Sequence, residues 1–177
     1  VRFSFKLPGD GAESMFAVAP YQSSNVMLVW DEASLFVARH DRFEKTLQAW
    51  DIGATEQWVR DVVASKAASP ERQIRFTLST ERLGSQSQPK PVWSKDMEVV
   101  GLAVAEDALL VVSTAFENER TRSGRQSWTL HALRKTSGEE LWSVALPGPP
   151  AISPLAIRAD GSVLVALQDG CVLGIGK

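Results

Sequence analysis

The chain has 177 residues, 44% of them hydrophobic and 23% charged, a balance typical of one globular domain with an apolar core. Its formal net charge is −2, so the composition gives no indication of nucleic-acid binding, for which a basic face is expected. A single cysteine excludes an intrachain disulfide, and no apolar run approaches the ~20 residues of a transmembrane helix.

The N-terminal segment reads as a strand. Residues 3–9 are Phe-Ser-Phe-Lys-Leu-Pro-Gly, and they align with residues 142–148, Trp-Ser-Val-Ala-Leu-Pro-Gly. A proline ends each strand because it lacks the N–H that a ladder needs. The sequence begins with Val1 and enters this strand pattern directly, so we expect it to be a mature or truncated piece of a longer chain.

A strand–turn–strand pattern recurs three times along the chain. The paired apolar runs are residues 26–30 with 34–38, 99–104 with 108–113, and 152–157 with 162–167. Short strands at close spacing with acidic or Asp-Gly turns predict an all-β repeat protein. Polar and apolar residues do not alternate in residues 163–167, which are all apolar. This predicts strands that are buried on both faces between stacked sheets.

Residues 40–75 interrupt this pattern. Residues 46–50 are predicted to form a strand, and residues 55–68 an amphipathic helix, since the apolar side chains recur there at helical spacing. We expect the apolar stripe of this helix to dock on the sheets, with partner binding as the alternative.

A second polar segment covers residues 116–126 and includes Arg120, Arg122 and Arg125. Its mixed charge predicts a solvated loop between strands. The alternative is that the three arginines form a loop that binds an acidic partner. Near the C-terminus, Cys171 lies in an apolar run, which predicts a small buried side chain and not a reactive thiol.

The segment from Ala132 to Trp142 reads Ala-Leu-Arg-Lys-Thr-Ser-Gly-Glu-Glu-Leu-Trp. It resembles the A-L-D-x-x-[ST]-G-E-x-L-W signature of pyrroloquinoline-quinone-like (PQQ-like) β-propeller repeats. Arg134 departs from the pattern, because the family usually has aspartate there. Trp93 precedes Trp142 by about 50 residues, close to the length of one propeller blade.

This resemblance implies an all-β propeller of four-stranded blades with a short inserted helix, occupying residues 1–177 as a single domain or as the C-terminal fragment of one. About three to four blade-equivalents are present, few for a closed ring, so we expect a partial propeller. The resemblance also implies that Trp93 and Trp142 dock on neighbouring blades, with Gly138 as the turn glycine. Ala132 would then be the small residue that the docked indole covers.

The resemblance implies a non-catalytic scaffold that binds another protein or the rest of a larger propeller. One alternative is a part of a quinoprotein dehydrogenase, with PQQ and calcium held by residues outside this chain. A weaker alternative is binding of a carbohydrate or small ligand at the axial mouth, the opening of the propeller's central channel. The family also implies an exported, for instance periplasmic, protein. We assign no catalytic, cofactor or metal residue: neither His40 nor His131 has a second histidine nearby in sequence.

Overall fold

The computed structural model describes residues 2–6, 13–17, 25–40, 45–67 and 89–176. These residues form thirteen strands and one helix, which confirms the all-β class. The elements are β1 (Arg2–Lys6), β2 (Glu13–Ala17), β3 (Asn25–Trp30), β4 (Ser34–His40), β5 (Lys45–Asp51), α1 (Ile52–Ala67), β6 (Trp93–Asp96), β7 (Glu98–Val104), β8 (Ala108–Asn118), β9 (Ser123–Arg134), β10 (Glu140–Leu146), β11 (Pro150–Ile157), β12 (Val163–Leu167) and β13 (Val172–Ile175).

All described strand pairs are antiparallel, and every pair of neighbouring strands in a sheet is consecutive in strand order. Strands β1 and β2 pair with each other in a two-stranded sheet. Sheet I has the order β3-β4-β5-β6, sheet II the order β7-β8-β9-β10, and sheet III the order β11-β12-β13. Each of these three sheets begins with one of the hairpins that the repeated pattern predicts. Within the described ranges, no sheet closes on itself.

The three sheets stack through two apolar layers. The layer between sheets I and II contains Phe36, Ala38, Leu47, Ala49, Val99, Leu109, Val111 and Leu133. The layer between sheets II and III contains Leu110, Val112, Leu130, Ala132, Leu146, Val163, Val165 and Leu167. Sheet II is therefore covered on both faces, and residues 109–112 of β8 are buried without interruption. Strand β12 differs from its prediction: it is buried on one face and only half-buried on the other.

Helix α1 follows β5 without a loop. Asp51 caps it, because its Oδ1 accepts the backbone N–H of Ala54 at 2.6 Å. The helix thus begins three residues before the predicted residue 55, and the predicted end at residue 68 lies outside the described residues. Trp58 of the predicted apolar stripe is half-buried, and the other side chains of that stripe lie outside the described residues. Among the described residues, no helix is long and apolar enough to cross a membrane.

The segment that departs from the repeat begins later than the predicted residue 40. Strand β5 contains the strand expected over residues 46–50 and pairs with β4 along its length. The chain leaves sheet I at Ile52 and returns to it as β6, which pairs with β5.

The predicted loop over residues 116–126 is mostly strand. Strands β8 and β9 stay paired out to Asn118 and Ser123, and only residues 119–122 turn. Backbone hydrogen bonds pair these ends of β8 and β9 even though their side chains are polar. Composition alone does not show this pairing. Cys171 also differs from its prediction, since it is exposed at the turn before β13. Its hydrogen bond with the Asp169 carboxylate raises the pKa of the thiol.

Candidate functional site

Trp93 joins sheet I to sheet II. It opens β6, and its indole Nε1 donates to the backbone oxygen of Lys135 at 2.7 Å. The ring also lies against Gly138 in the turn between β9 and β10: a Cβ there would come within 2.8 Å of the indole Cδ2. Phe36 packs beside the indole with ring centroids 6.1 Å apart. Trp93 therefore fills the space between the last strand of sheet I and a turn of sheet II.

Gly138 serves the turn in two ways. Its φ of +71° lies in the left-handed region that glycine adopts without strain, and its N–H closes the turn by donating to the Arg134 oxygen at 2.8 Å. Its missing side chain also leaves the surface on which the Trp93 ring rests. Any other residue would disturb both the turn and the contact between sheets.

An ion pair lies beside the Trp93 contact. Lys135 Nζ is 2.7 Å from Asp31 Oδ2, which joins the turn after β3 to the turn after β9. Asp31 Oδ1 accepts the backbone N–H groups of Ala33 and Ser34. Burial opposes ionisation of Asp31, but these hydrogen bonds outweigh it, and the pKa of Asp31 is lower than usual.

A second ionic contact joins sheets I and II. It lies at the strand ends opposite to those of the Asp31–Lys135 pair. Glu98, only 6% exposed, accepts two hydrogen bonds of 2.7 Å from the Arg122 guanidinium. Lys45 Nζ of sheet I is 2.7 Å from Glu98 Oε2 and 3.1 Å from Glu119 Oε2. Burial raises the pKa of Glu98, but the hydrogen bonds from Arg122 and Lys45 outweigh it and lower that pKa overall.

One of the three arginines of the predicted binding loop takes part in these contacts. The Arg122 guanidinium pairs with Glu98 and lies 4.6 Å from the centre of the Phe116 ring, while its side chain remains 41% exposed. Arg120 and Arg125 are also exposed. Arg122 therefore has an ionic partner within the protein.

Ala132 and Trp142 lie on the other face of sheet II. Ala132 is fully buried in the layer toward sheet III and is paired directly with Trp142 in the ladder. The indole that covers the Gly138 turn is that of Trp93, so Ala132 is not beneath it. Trp142 itself is 39% exposed, whereas Leu146 on the same face of β10 is buried.

The exposure of Trp142 follows from the width of sheet III. In the part of the chain that the structure describes, sheet III ends at β13, one strand short of sheets I and II. The outer part of sheet II, with Trp142 and Val144, therefore extends past the edge of its neighbour. Val172 in the edge strand β13 is also exposed. Together these residues form an open edge, by which we mean Trp142, Val144 and strand β13.

A third polar cluster crosses three strands of sheet II. Ser113 Oγ lies 2.8 Å from His131 Nε2, and His131 Nδ1 lies 2.6 Å from Glu140 Oε2. Ser143 Oγ donates to the other oxygen of Glu140 at 2.9 Å. Proximity in sequence does not reveal this cluster, because Ser113 and Glu140 lie 18 and 9 residues from His131. The pairing register of the hairpin formed by β8 and β9 would have placed Ser113 near it.

Among the described residues, no group of three or more histidine, cysteine, aspartate or glutamate side chains is arranged to hold a metal ion. No protein-family model matches the sequence, and a search of curated proteins finds no match.

Proposed function

We propose that this protein is a β-propeller scaffold of PQQ-like repeats that binds another protein by accepting an extended strand at its open edge. The observation that carries this proposal is the contrast between Trp93 and Trp142. One indole packs on the neighbouring sheet, whereas the other is 39% exposed beside a sheet with three described strands.

The two tryptophans hold equivalent positions. Trp93 lies in the fourth strand of sheet I and packs on the turn that precedes the fourth strand of sheet II. Trp142 lies in the fourth strand of sheet II. By the same geometry, it would pack on a turn preceding a fourth strand of sheet III. A strand added to β13 would supply that turn and cover both Trp142 and Val144.

The open edge has the chemistry that strand addition uses. Strand β13 pairs with β12 along one side, and a sheet edge offers backbone N–H and C=O groups to an incoming strand. Main-chain hydrogen bonds would provide affinity, and the Trp142 indole would provide an apolar anchor at the rim. The partner segment we propose is a glycine turn followed by an alternating apolar strand, as in residues 134–148 of this chain.

A labelled peptide with the sequence of residues 134–148 tests this proposal by fluorescence anisotropy with the whole protein. We expect saturable binding that weakens at least tenfold in Trp142→Ala, since a tryptophan anchor is commonly worth about 1.4 kcal/mol or more. Val172→Pro should weaken it too, because proline removes a backbone donor from the edge. Ile152→Ala is the matched control: Ile152 is highly exposed but lies on β11, away from β13.

Two results would contradict the scaffold function. One is peptide binding that Trp142→Ala and Val172→Pro leave unchanged. The other is binding of PQQ with calcium at micromolar concentration, which would favour the quinoprotein alternative.

A further inference from the structure

We infer that Ser113, His131 and Glu140 form a nucleophile–base–acid relay that activates Ser113 toward small acyl esters, an activity beyond the proposed scaffold. Both imidazole nitrogens are engaged, with the hydroxyl 2.8 Å from Nε2 and the carboxylate 2.6 Å from Nδ1. This is the connectivity of serine hydrolases, in which the acid orients the base and the base accepts the serine proton.

The relay is built on paired strands and not on loops. Ser113 lies in β8, His131 in β9 and Glu140 at the start of β10. Ser113 and His131 lie on the face of sheet II that carries Val111 and Leu133, because side chains alternate along each strand and those two residues pack toward sheet I. Regular ladder pairing fixes these strands against one another, so the hydroxyl and the imidazole are held in place before any substrate arrives.

The groups around Glu140 favour its ionised form. The hydrogen bond from His131, followed by that from Ser143, lowers the pKa of Glu140, and the positive charge of Lys95 acts in the same direction. An ionised Glu140 accepts the Nδ1 proton of His131, which leaves the Nε2 lone pair for the Ser113 hydroxyl. The Ser143 hydroxyl restrains the second oxygen of Glu140.

The position of the relay limits the substrate. Strand β7 makes the close backbone contacts between sheet II and strands β3, β4 and β5 of sheet I. Ser113 lies one strand further out and is half-buried, and the His131 side chain is 14% exposed. An acyl group must therefore enter between the outer strands of the two sheets, which favours a small one such as acetyl.

The reaction needs no redox partner. Ser113 Oγ bonds to the ester carbonyl carbon as its proton moves to His131 Nε2. The bond from that carbon to the alcohol oxygen breaks, and the alcohol leaves with the proton from His131. Water then adds to the acyl-serine with His131 again as base, which releases the carboxylic acid and restores Ser113.

Labelling of the whole protein with a fluorophosphonate probe, followed by intact mass and peptide mapping, tests the relay. We expect one adduct on Ser113 that is absent in Ser113→Ala. Its formation rate should fall about a hundredfold or more in His131→Gln, as expected for loss of a general base. The rate in Glu140→Gln should fall less. Ser94→Ala is the matched control, since Ser94 is an exposed strand serine outside the relay, and should label at the full rate.

A thiol variant covers the case in which the relay variants do not fold. Ser113→Cys in a Cys171→Ser background places the only thiol of the chain next to His131. Iodoacetamide should then alkylate it at neutral pH faster than it alkylates Cys171 in the unaltered protein, because His131 can take the proton of the new thiol. Absence of an adduct on Ser113, equal labelling in His131→Gln, or a new thiol that reacts no faster than Cys171 would each overturn the inference.

Discussion

Replacing Gly138 by alanine should weaken the protein through two separate effects at one position. Gly138 has φ +71°, and its Cα faces the Trp93 ring so closely that a Cβ would lie 2.8 Å from Cδ2 and 2.9 Å from Cε3. The first effect acts within the turn, and the second acts across the contact between sheets I and II.

The two effects can be given magnitudes. A left-handed backbone costs a residue with a Cβ about 1–2 kcal/mol. Forcing an extra methyl group into a packed contact typically costs about 1–3 kcal/mol. The free energy of unfolding should therefore fall by roughly 2–5 kcal/mol in Gly138→Ala.

Urea unfolding followed by circular dichroism measures this loss, and Gly161→Ala provides the matched control. Gly161 also has a positive φ, +82°, but a Cβ there would meet nothing within 4 Å. Gly161→Ala should therefore show the backbone cost alone, about 1–2 kcal/mol. The difference between the two variants reports the contact with Trp93.

A double-mutant cycle isolates that contact. With the ring removed in Trp93→Ala, the added cost of Gly138→Ala should fall to that of Gly161→Ala. If Gly138→Ala costs no more than Gly161→Ala in the unaltered background, or if Trp93→Ala leaves its cost unchanged, the argument that Trp93 rests on this turn is refuted.

Two further predictions concern the other contacts of sheet II. Glu98→Gln should lower the free energy of unfolding at neutral pH by about 1–3 kcal/mol, because Arg122 and Lys45 lose a buried anion. Since the folded-state pKa of Glu98 is lowered, its stabilisation is present above the unfolded-state pKa and is lost as pH falls through the folded value. The difference between wild type and Glu98→Gln in urea unfolding should therefore shrink in acid, and a constant difference would contradict the ionic role. Trp142→Ala should cost less stability than Trp93→Ala in thermal melts, because Trp142 is already 39% exposed; equal costs would mean that the open edge is covered.

Much of the local structure could be read from the sequence. The three hairpins follow from short apolar runs separated by turn residues, and the structure begins sheets I, II and III with them. The turn at Gly138 follows from the conformational freedom of glycine, and the structure gives it a positive φ. Helix α1 begins three residues before its predicted start because Asp51 caps it, and the apolar stripe that predicts the helix does not include this cap.

The polar contacts could not be read in the same way. Glu98 meets Lys45 of another sheet, and His131 meets Ser113 through the register of a hairpin. Shifting a strand by one residue moves every side chain to the opposite face, so a small error in register removes such contacts. Cys171 is exposed and not buried as predicted, because an apolar run does not show whether another sheet covers it.

The sequence by itself determined the all-β class, the hairpins and the glycine turn, because hydrophobic period and backbone freedom act over a few residues. Only the tertiary structure decided that the Trp93 indole rests on the Gly138 turn while the Trp142 indole stays partly exposed at the open edge. Both residues lie in the same local pattern, an apolar residue followed by tryptophan and serine, at residues 92–94 and 141–143. What differs is the number of described strands in the neighbouring sheet, and burial of a side chain depends on the surface packed against it.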